Sequence, residues 1–68
     1  MSLDNFSTPF DMRSAREAVG LTVAELAGAC NISLLSIEHF EAGHAKPDWI
    51  EADYLAAALG VPFDILVE

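Results

Sequence analysis

Positively charged side chains are scarce in this chain. Its 68 residues include three lysines and arginines against eleven aspartates and glutamates, which gives a formal net charge of −8. Nucleic acids and anionic membranes repel such a chain at long range. The acidic excess is most simply a solvated surface that promotes solubility, and the alternative is an acidic patch that faces a partner.

Cysteine and long apolar runs are scarce as well. The single cysteine, Cys30, excludes an intramolecular disulfide bond, and its apolar helical position favours a buried structural thiol over a reactive or metal-binding one. No stretch reaches the ~18 apolar residues that a membrane span needs. The N-terminus shows neither the basic segment nor the apolar run of a signal peptide. We therefore expect a cytoplasmic protein in a reducing compartment, with no membrane partner.

The chain also has few residues suited to catalysis or metal binding. The candidate metal ligands are Cys30, His39, Glu41 and His44, and the two histidines are expected on different helix faces with Gly43 between them. There is no glycine-rich phosphate loop and no nucleophile paired with a base. A domain of this size offers little room for a substrate cleft. We expect no enzyme activity, no cofactor and no metal site.

Helix signals are what the sequence does contain. The chain is 53% hydrophobic, so a packed domain is expected, and no segment shows a strand pattern. We predict an all-α fold, a compact bundle of five short helices in residues 9–68, preceded by a flexible arm in residues 1–8. The predicted helices cover residues 9–19, 23–30, 34–42, 49–59 and 63–66.

Polar residues and glycines mark the ends of these helices. Capping boxes, in which two side chains bond each other's backbone amides, are predicted for Thr8 with Asp11, Thr22 with Glu25 and Asp48 with Glu51. Pro9 takes the first position of the first helix and Ser33 caps the third. The predicted stops are Gly20, Asn31, Gly43 and Gly60, which tolerate left-handed backbone geometry.

Apolar residues that recur at helical spacing form the expected core. They are Met12, Ala15, Val19, Val23, Leu26, Ala27, Cys30, Ile32, Ile37, Phe40, Ala52, Leu55, Ala58 and Leu59, with Leu34 at the edge and either Ile50 or Trp49 as a further member. Arg13 and Arg16 are expected to pair with Glu17, with Asp11 or with solvent. Glu41 is expected to accept hydrogen bonds from backbone amides of the loop that follows it.

Several segments match the order and spacing of a known family. They are Met12-Arg13-x2-Arg16-Glu17-Ala18-x-Gly20-Leu21-Thr22, then Glu25-Leu26-Ala27, Ile32-Ser33-x3-Ile37, Phe40-Glu41-x-Gly43, Lys46-Pro47 and Leu55-Ala56-x-Ala58-Leu59-Gly60-Val61. Over residues 10–67 the chain resembles the phage-repressor/Cro-type (XRE-like) helix-turn-helix family. The resemblance implies a lambda-repressor-like bundle whose second and third helices form the helix-turn-helix. It also implies a transcriptional regulator that binds double-stranded DNA as a homodimer.

The same resemblance implies which residues would contact DNA. In the family the third helix lies in the major groove, and the start of the second helix contacts phosphate. Carried over by position, the phosphate contacts fall on Thr22 and Val23. The base-edge contacts fall on Ser33, Leu34, Leu35 and Glu38, and His39, His44 and Lys46 lie near the DNA backbone.

The third helix departs from the family pattern at these positions. Val23 has no hydrogen-bond donor where the family often has glutamine, and Leu34, Leu35 and Glu38 stand where arginine, glutamine, serine or asparagine are usual. Leucine can meet only a thymine methyl group, and glutamate can accept only from cytosine. Two functions are therefore considered. One is a DNA-binding regulator, and the other is a protein-interaction module that has lost DNA binding and serves as an acidic regulator or a DNA-mimicking partner of a basic protein.

Some apolar side chains are expected to contact a partner or a second copy. Leu34 and Leu35 are adjacent at positions where a DNA-binding helix would have polar residues, so at least one of them should be exposed. In the last helical turn one side should pack on the fourth helix while the other meets a second copy by a two-fold contact. Trp49 is most simply a core residue, with a partner contact as the alternative. The candidate contact residues are Leu35, Trp49, Phe63, Ile65 and Leu66.

Overall fold

A computed structural model of the chain describes residues 11–67. These residues form five α-helices and contain no strand, which confirms the predicted all-α bundle. We label the helices α1 (Met12–Ala18), α2 (Val23–Cys30), α3 (Leu34–Ala42), α4 (Trp49–Leu59) and α5 (Phe63–Val67). The arm predicted in residues 1–8 and the helix start predicted at Thr8 and Pro9 lie outside the described residues.

The first described helix begins later than predicted. Asp11 is the N-cap of α1, with an extended backbone at φ −115° and ψ 105°. Its carboxylate accepts the N–H of Arg13 at 3.1 Å and the hydroxyl of Ser14 at 2.7 Å. The Ser14 hydroxyl bond is the main reason that the pKa of Asp11 is lowered. The prediction that Asp11 closes a capping box inside the helix is therefore wrong.

Most of the other predicted helix boundaries are confirmed, and α1 and α5 each end one residue from the predicted end, at Ala18 and Val67. In the box that begins α2, Thr22 Oγ1 accepts the Glu25 N–H at 3.1 Å and Glu25 Oε1 accepts the Thr22 N–H at 2.8 Å. Asp48 and Glu51 form the same reciprocal pair at the start of α4. Left-handed backbone ends α2 at Asn31 (φ 56°), and Gly20, Gly43 and Gly60 adopt it after α1, α3 and α4.

The core lies where α2 packs against both α3 and α4, with α1 against α3 and α5 against α4. Leu26, Ile37 and Leu55 are completely buried in it. The remaining buried apolar residues are Met12, Ala27, Cys30, Ala52, Ala56, Leu59 and Leu66. Burial raises the pKa of the Cys30 thiol, as expected for a structural cysteine in apolar surroundings.

Three residues predicted for the core are exposed instead. Val19 is 45% exposed because α1 ends at Ala18 and Val19 already has non-helical geometry. Trp49 is 74% exposed and Ile50 70% exposed. The 3.6-residue period of α4 places Ile50 opposite the buried stripe of that helix and leaves Trp49 beside the stripe in the first turn. The interpretation of Trp49 as a core residue is therefore wrong.

Residues 11–67 include no helix with the length and apolar composition that crossing a membrane requires. Within the same residues no three His, Cys, Asp or Glu side chains are grouped as a metal site would need.

Candidate nucleic-acid interface

The turn between α2 and α3 fixes how these two helices cross. Asn31 takes a left-handed conformation, and the N–H of Ile32 then donates to the carbonyl of Ala27 at 3.0 Å. Ile32 packs partly buried against the core between the two helices. Ala27 is buried, and its small side chain allows α2 and α3 to approach closely. The result is a helix-turn-helix arrangement.

The outer side of α3 is exposed, as the family resemblance requires of the helix that lies in the major groove. Ser33, Leu34, Leu35, Glu38 and His39 are all exposed. Leu34 retains 47% and Leu35 retains 59% of its accessible surface. Because positions three and four apart share a helix face, both leucines lie beside Glu38. The proposed base-edge positions therefore form one surface, and that surface is apolar and acidic.

The start of α2 is a poor phosphate site in this chain. The carboxylate of Glu25 accepts the backbone N–H of Thr22 at 2.8 Å, so a negative charge covers an amide that a phosphate would otherwise approach. The hydroxyl of Thr22 is engaged with the Glu25 N–H at 3.1 Å. Val23 is partly buried against the core.

One of the three cationic side chains is committed to an internal ion pair. Arg16 is only 9% exposed. Its Nε lies 2.6 Å from Oε2 of Glu41, its Nη2 lies 3.2 Å from Oε1, and its Nη1 donates to the carbonyl of Leu21 at 2.9 Å. The bond to Glu41 raises the pKa of Arg16. Arg16 thus ties α1 to the last turn of α3 and is unavailable to DNA.

The predicted partners of Arg16 and of Glu41 are both wrong. Arg16 pairs neither with Asp11 nor with Glu17, and Glu41 binds Arg16 instead of the amides of the following loop. The sequence did indicate that both residues lie on the buried faces of their helices. Each stands four positions after a buried residue, Arg16 after Met12 and Glu41 after Ile37. Arg13 lies nearby with its Nε 3.8 Å from Glu41, and its side chain is 65% exposed.

The end of α3 and the following loop bring two histidines together. Gly43 reverses the chain with φ 80°, and the N–H of His44 donates to the carbonyl of His39 at 2.9 Å. The two imidazole rings lie 6.1 Å apart between centroids. The expectation that the histidines lie on separate faces is therefore wrong. His39, His44 and Lys46 are all exposed at this end of the interface.

The residues predicted to contact a partner fall into three groups. Leu35 and Trp49 are exposed. Phe63 and Ile65 are partly buried. Leu66 is 6% exposed and belongs to the core. Thus α5 packs its Leu66 side on the domain.

Comparison with known proteins agrees with this architecture. The family model described as "Helix-turn-helix domain" matches residues 11–68. The chain therefore belongs to the helix-turn-helix domain family. No curated protein and no solved structure matches the chain.

Proposed function

We propose that this protein is a DNA-binding regulator of transcription of the phage-repressor/Cro type. The observation that carries the proposal is the crossing of α2 and α3, which leaves the outer side of α3 exposed. In such proteins the second helix of the motif enters the major groove. In that pose Ser33, Leu34, Leu35 and Glu38 face base edges, while His39, His44 and Lys46 lie near the DNA backbone.

The chemistry of α3 limits what this regulator can read. Leu34 and Leu35 can pack against thymine methyl groups, and Glu38 can accept from the amino group of cytosine. No arginine or lysine is present on α3 to bind guanine bidentately. We therefore propose that sequence preference comes mainly from apolar contacts and from backbone groups, with phosphate contacts holding the protein in register.

The ion pair between Arg16 and Glu41 limits how strongly the affinity for DNA should depend on salt concentration. With Arg16 committed, Arg13 and Lys46 are the other Lys and Arg residues of the chain. If these two side chains each neutralise one phosphate, they contribute about −1.8 per subunit, or about −3.6 for a dimer, to the slope of log affinity against log salt.

The test is a titration of labelled random and genomic DNA fragments over a series of salt concentrations. Binding with a negative slope inside that limit supports the proposal. Absence of binding at ~50 mM salt and micromolar protein removes it, because even non-specific binding should be visible there. A steeper slope would mean that a further cationic group, Arg16 or one of the two histidines near the DNA backbone, also contacts phosphate.

We further propose that the regulator acts as a homodimer through α5. Leu66 packs on the domain and Ile65 lies on another side of this short helix, only partly buried. A two-fold contact through Ile65 would bury it and would match a palindromic site. Sedimentation at micromolar concentration that shows only the 7.3 kDa monomer would exclude this arrangement.

A second candidate function is a protein-interaction module that has lost DNA binding, acting as an acidic regulator or a DNA mimic bound by a basic protein. Two observations favour it. Leu34 and Leu35 are both exposed beside Glu38, and Glu25 covers an amide at the start of α2. The substitution Leu35→Glu should abolish such an interaction and leave folding intact. A large loss of stability in that variant would show instead that Leu35 supports the fold.

A further inference from the structure

A second exposed apolar surface lies on α4, away from the outer side of α3. Six large apolar side chains in residues 11–67 are exposed, and three of them, Trp49, Ile50 and Tyr54, are in the first half of this helix. Tyr54 retains 53% of its accessible surface. The ring of Trp49 meets that of Phe63 edge to face, with centroids 6.2 Å apart and an interplanar angle of 84°. Phe63 thus supports the exposed indole from α5.

Two shallow hollows lie on this surface. One hollow is lined by Trp49, Ile50, Asp53, Tyr54 and Phe63. A second hollow runs from Ile50 and Tyr54 to the turn between α2 and α3 and to the first turn of α3. Ile50 and Tyr54 border both hollows, and we call the surface made by the two hollows the α4 groove.

The charged residues that line the α4 groove are all acidic. Asp53 lines the first hollow and Glu51 the second, and neither lining includes a lysine or an arginine. Asp48 adds a third carboxylate beside Trp49 as the N-cap of α4. The whole chain carries a formal charge of −8, so distant residues do not offset this local excess.

We propose that the α4 groove binds a cationic amphipathic helix of another protein. Apolar side chains of that helix would cover Ile50 and Tyr54, and its lysines or arginines would pair with Asp53 and lie against the face of Trp49. Tryptophan and tyrosine are the residues that most often dominate such interfaces. The acidic lining disfavours the alternatives at this groove, because it repels DNA and because a second copy would bring the same carboxylates face to face.

This proposal goes beyond regulation through α3, because most of the residues that it uses lie on α4. Ser33 at the start of α3 lines the second hollow and is also a proposed base-edge position, whereas Leu34 and Leu35 do not line the α4 groove. Peptide binding is therefore measured without DNA, so that either interaction can fail without the other.

Trp49 provides the readout, because it is the only tryptophan of the chain. The probe is a synthetic amphipathic peptide of lysine and leucine, titrated against the full chain at low ionic strength. The matched control is the same peptide with glutamate in place of lysine. We expect the lysine peptide to move the Trp49 emission to shorter wavelength and to protect it from acrylamide quenching, and the glutamate peptide to do neither.

Three variants locate the binding surface. Asp53→Lys should weaken binding about tenfold, equivalent to about 1.4 kcal/mol. Ile50→Gln should weaken it by a similar factor because it removes the apolar contact. Leu35→Gln makes the same chemical change on α3 and should leave the affinity unchanged. All three residues are exposed, so circular dichroism should show the same helix content in each variant as in the unsubstituted protein. If one of the variants unfolds, Tyr54→Gln takes its place.

Each other outcome would overturn the proposal. An unshifted Trp49 emission means that the groove does not take a cationic helix. Equal binding of the glutamate peptide means that the contact is apolar adsorption without charge recognition. An emission that changes with protein concentration alone, and no longer does so in Ile50→Gln, means that a second copy covers the groove. Equal weakening by Leu35→Gln and Ile50→Gln places the site on α3 instead.

Discussion

Replacement of Glu25 by glutamine should strengthen binding to DNA. The Glu25 carboxylate accepts the Thr22 N–H at 2.8 Å and so places a negative charge at the start of α2, where the family resemblance places a phosphate contact. Glutamine also closes a capping box. The variant therefore keeps the hydrogen bond and the helix start while it removes only the charge.

The magnitude follows from Coulomb's law. Two unit charges about 4 Å apart interact by about 1 kcal/mol in water. Loss of this repulsion between Glu25 and a phosphate corresponds to about fivefold tighter binding per subunit, and about 25-fold for a dimer that contacts both half-sites. The salt slope should stay nearly constant, because the number of cationic side chains at the interface does not change.

The assay is fluorescence anisotropy of labelled duplex DNA at low ionic strength. Asp53→Asn is the matched control, because it makes the same change in net charge at an exposed position of α4, outside the proposed DNA and dimer contacts. Thermal unfolding followed by circular dichroism checks that both variants keep their stability. If Glu25→Gln binds no more tightly than Asp53→Asn, the start of α2 does not contact a phosphate and the reasoning is refuted.

Three further predictions concern stability. Leu55→Ala should lower the free energy of unfolding by about 2–5 kcal/mol, because Leu55 is completely buried, while Leu35→Ala should change it by less than about 0.5 kcal/mol; urea unfolding compares them. Arg16→Met should destabilise the domain by leaving the buried Glu41 carboxylate with only the largely exposed Arg13, 3.8 Å away, as an ion-pair partner, and Glu41→Leu added to it should restore stability; a double variant no better than the single one would contradict this. Because burial raises the pKa of Cys30, stability should be full at neutral pH and fall as the pH rises above about 8.5, where the unfolded thiol ionises; this alkaline loss should disappear in Cys30→Ala.

The helix boundaries were predictable because they depend on residues close together in the chain. A capping box joins positions three apart, as in Thr22 with Glu25 and Asp48 with Glu51. A left-handed stop depends on one residue, such as Asn31 or Gly43. The start of α1 differed because Asp11 caps the helix directly, and the ends of α1 and α5 each differed by one residue.

The exposure of particular side chains was less predictable. Helical spacing identifies an apolar face, but it does not show how far a neighbouring helix extends to cover that face. Trp49 and Ile50 remain exposed although both are apolar enough for the core, and Arg16 is buried although it is charged. The partner of Arg16 stands 25 positions away in Glu41, so only the packing of α1 against α3 brings the two together.

The sequence by itself determined the helices, the helix-turn-helix order, the acidic charge and the lack of a cation on the third helix, because these features follow from composition and from bonds between near neighbours. Tertiary structure alone decided which cations are committed to internal pairs and which apolar side chains stay exposed. The reason is that burial depends on contacts between segments distant in the chain, and those contacts exist only after the helices have packed.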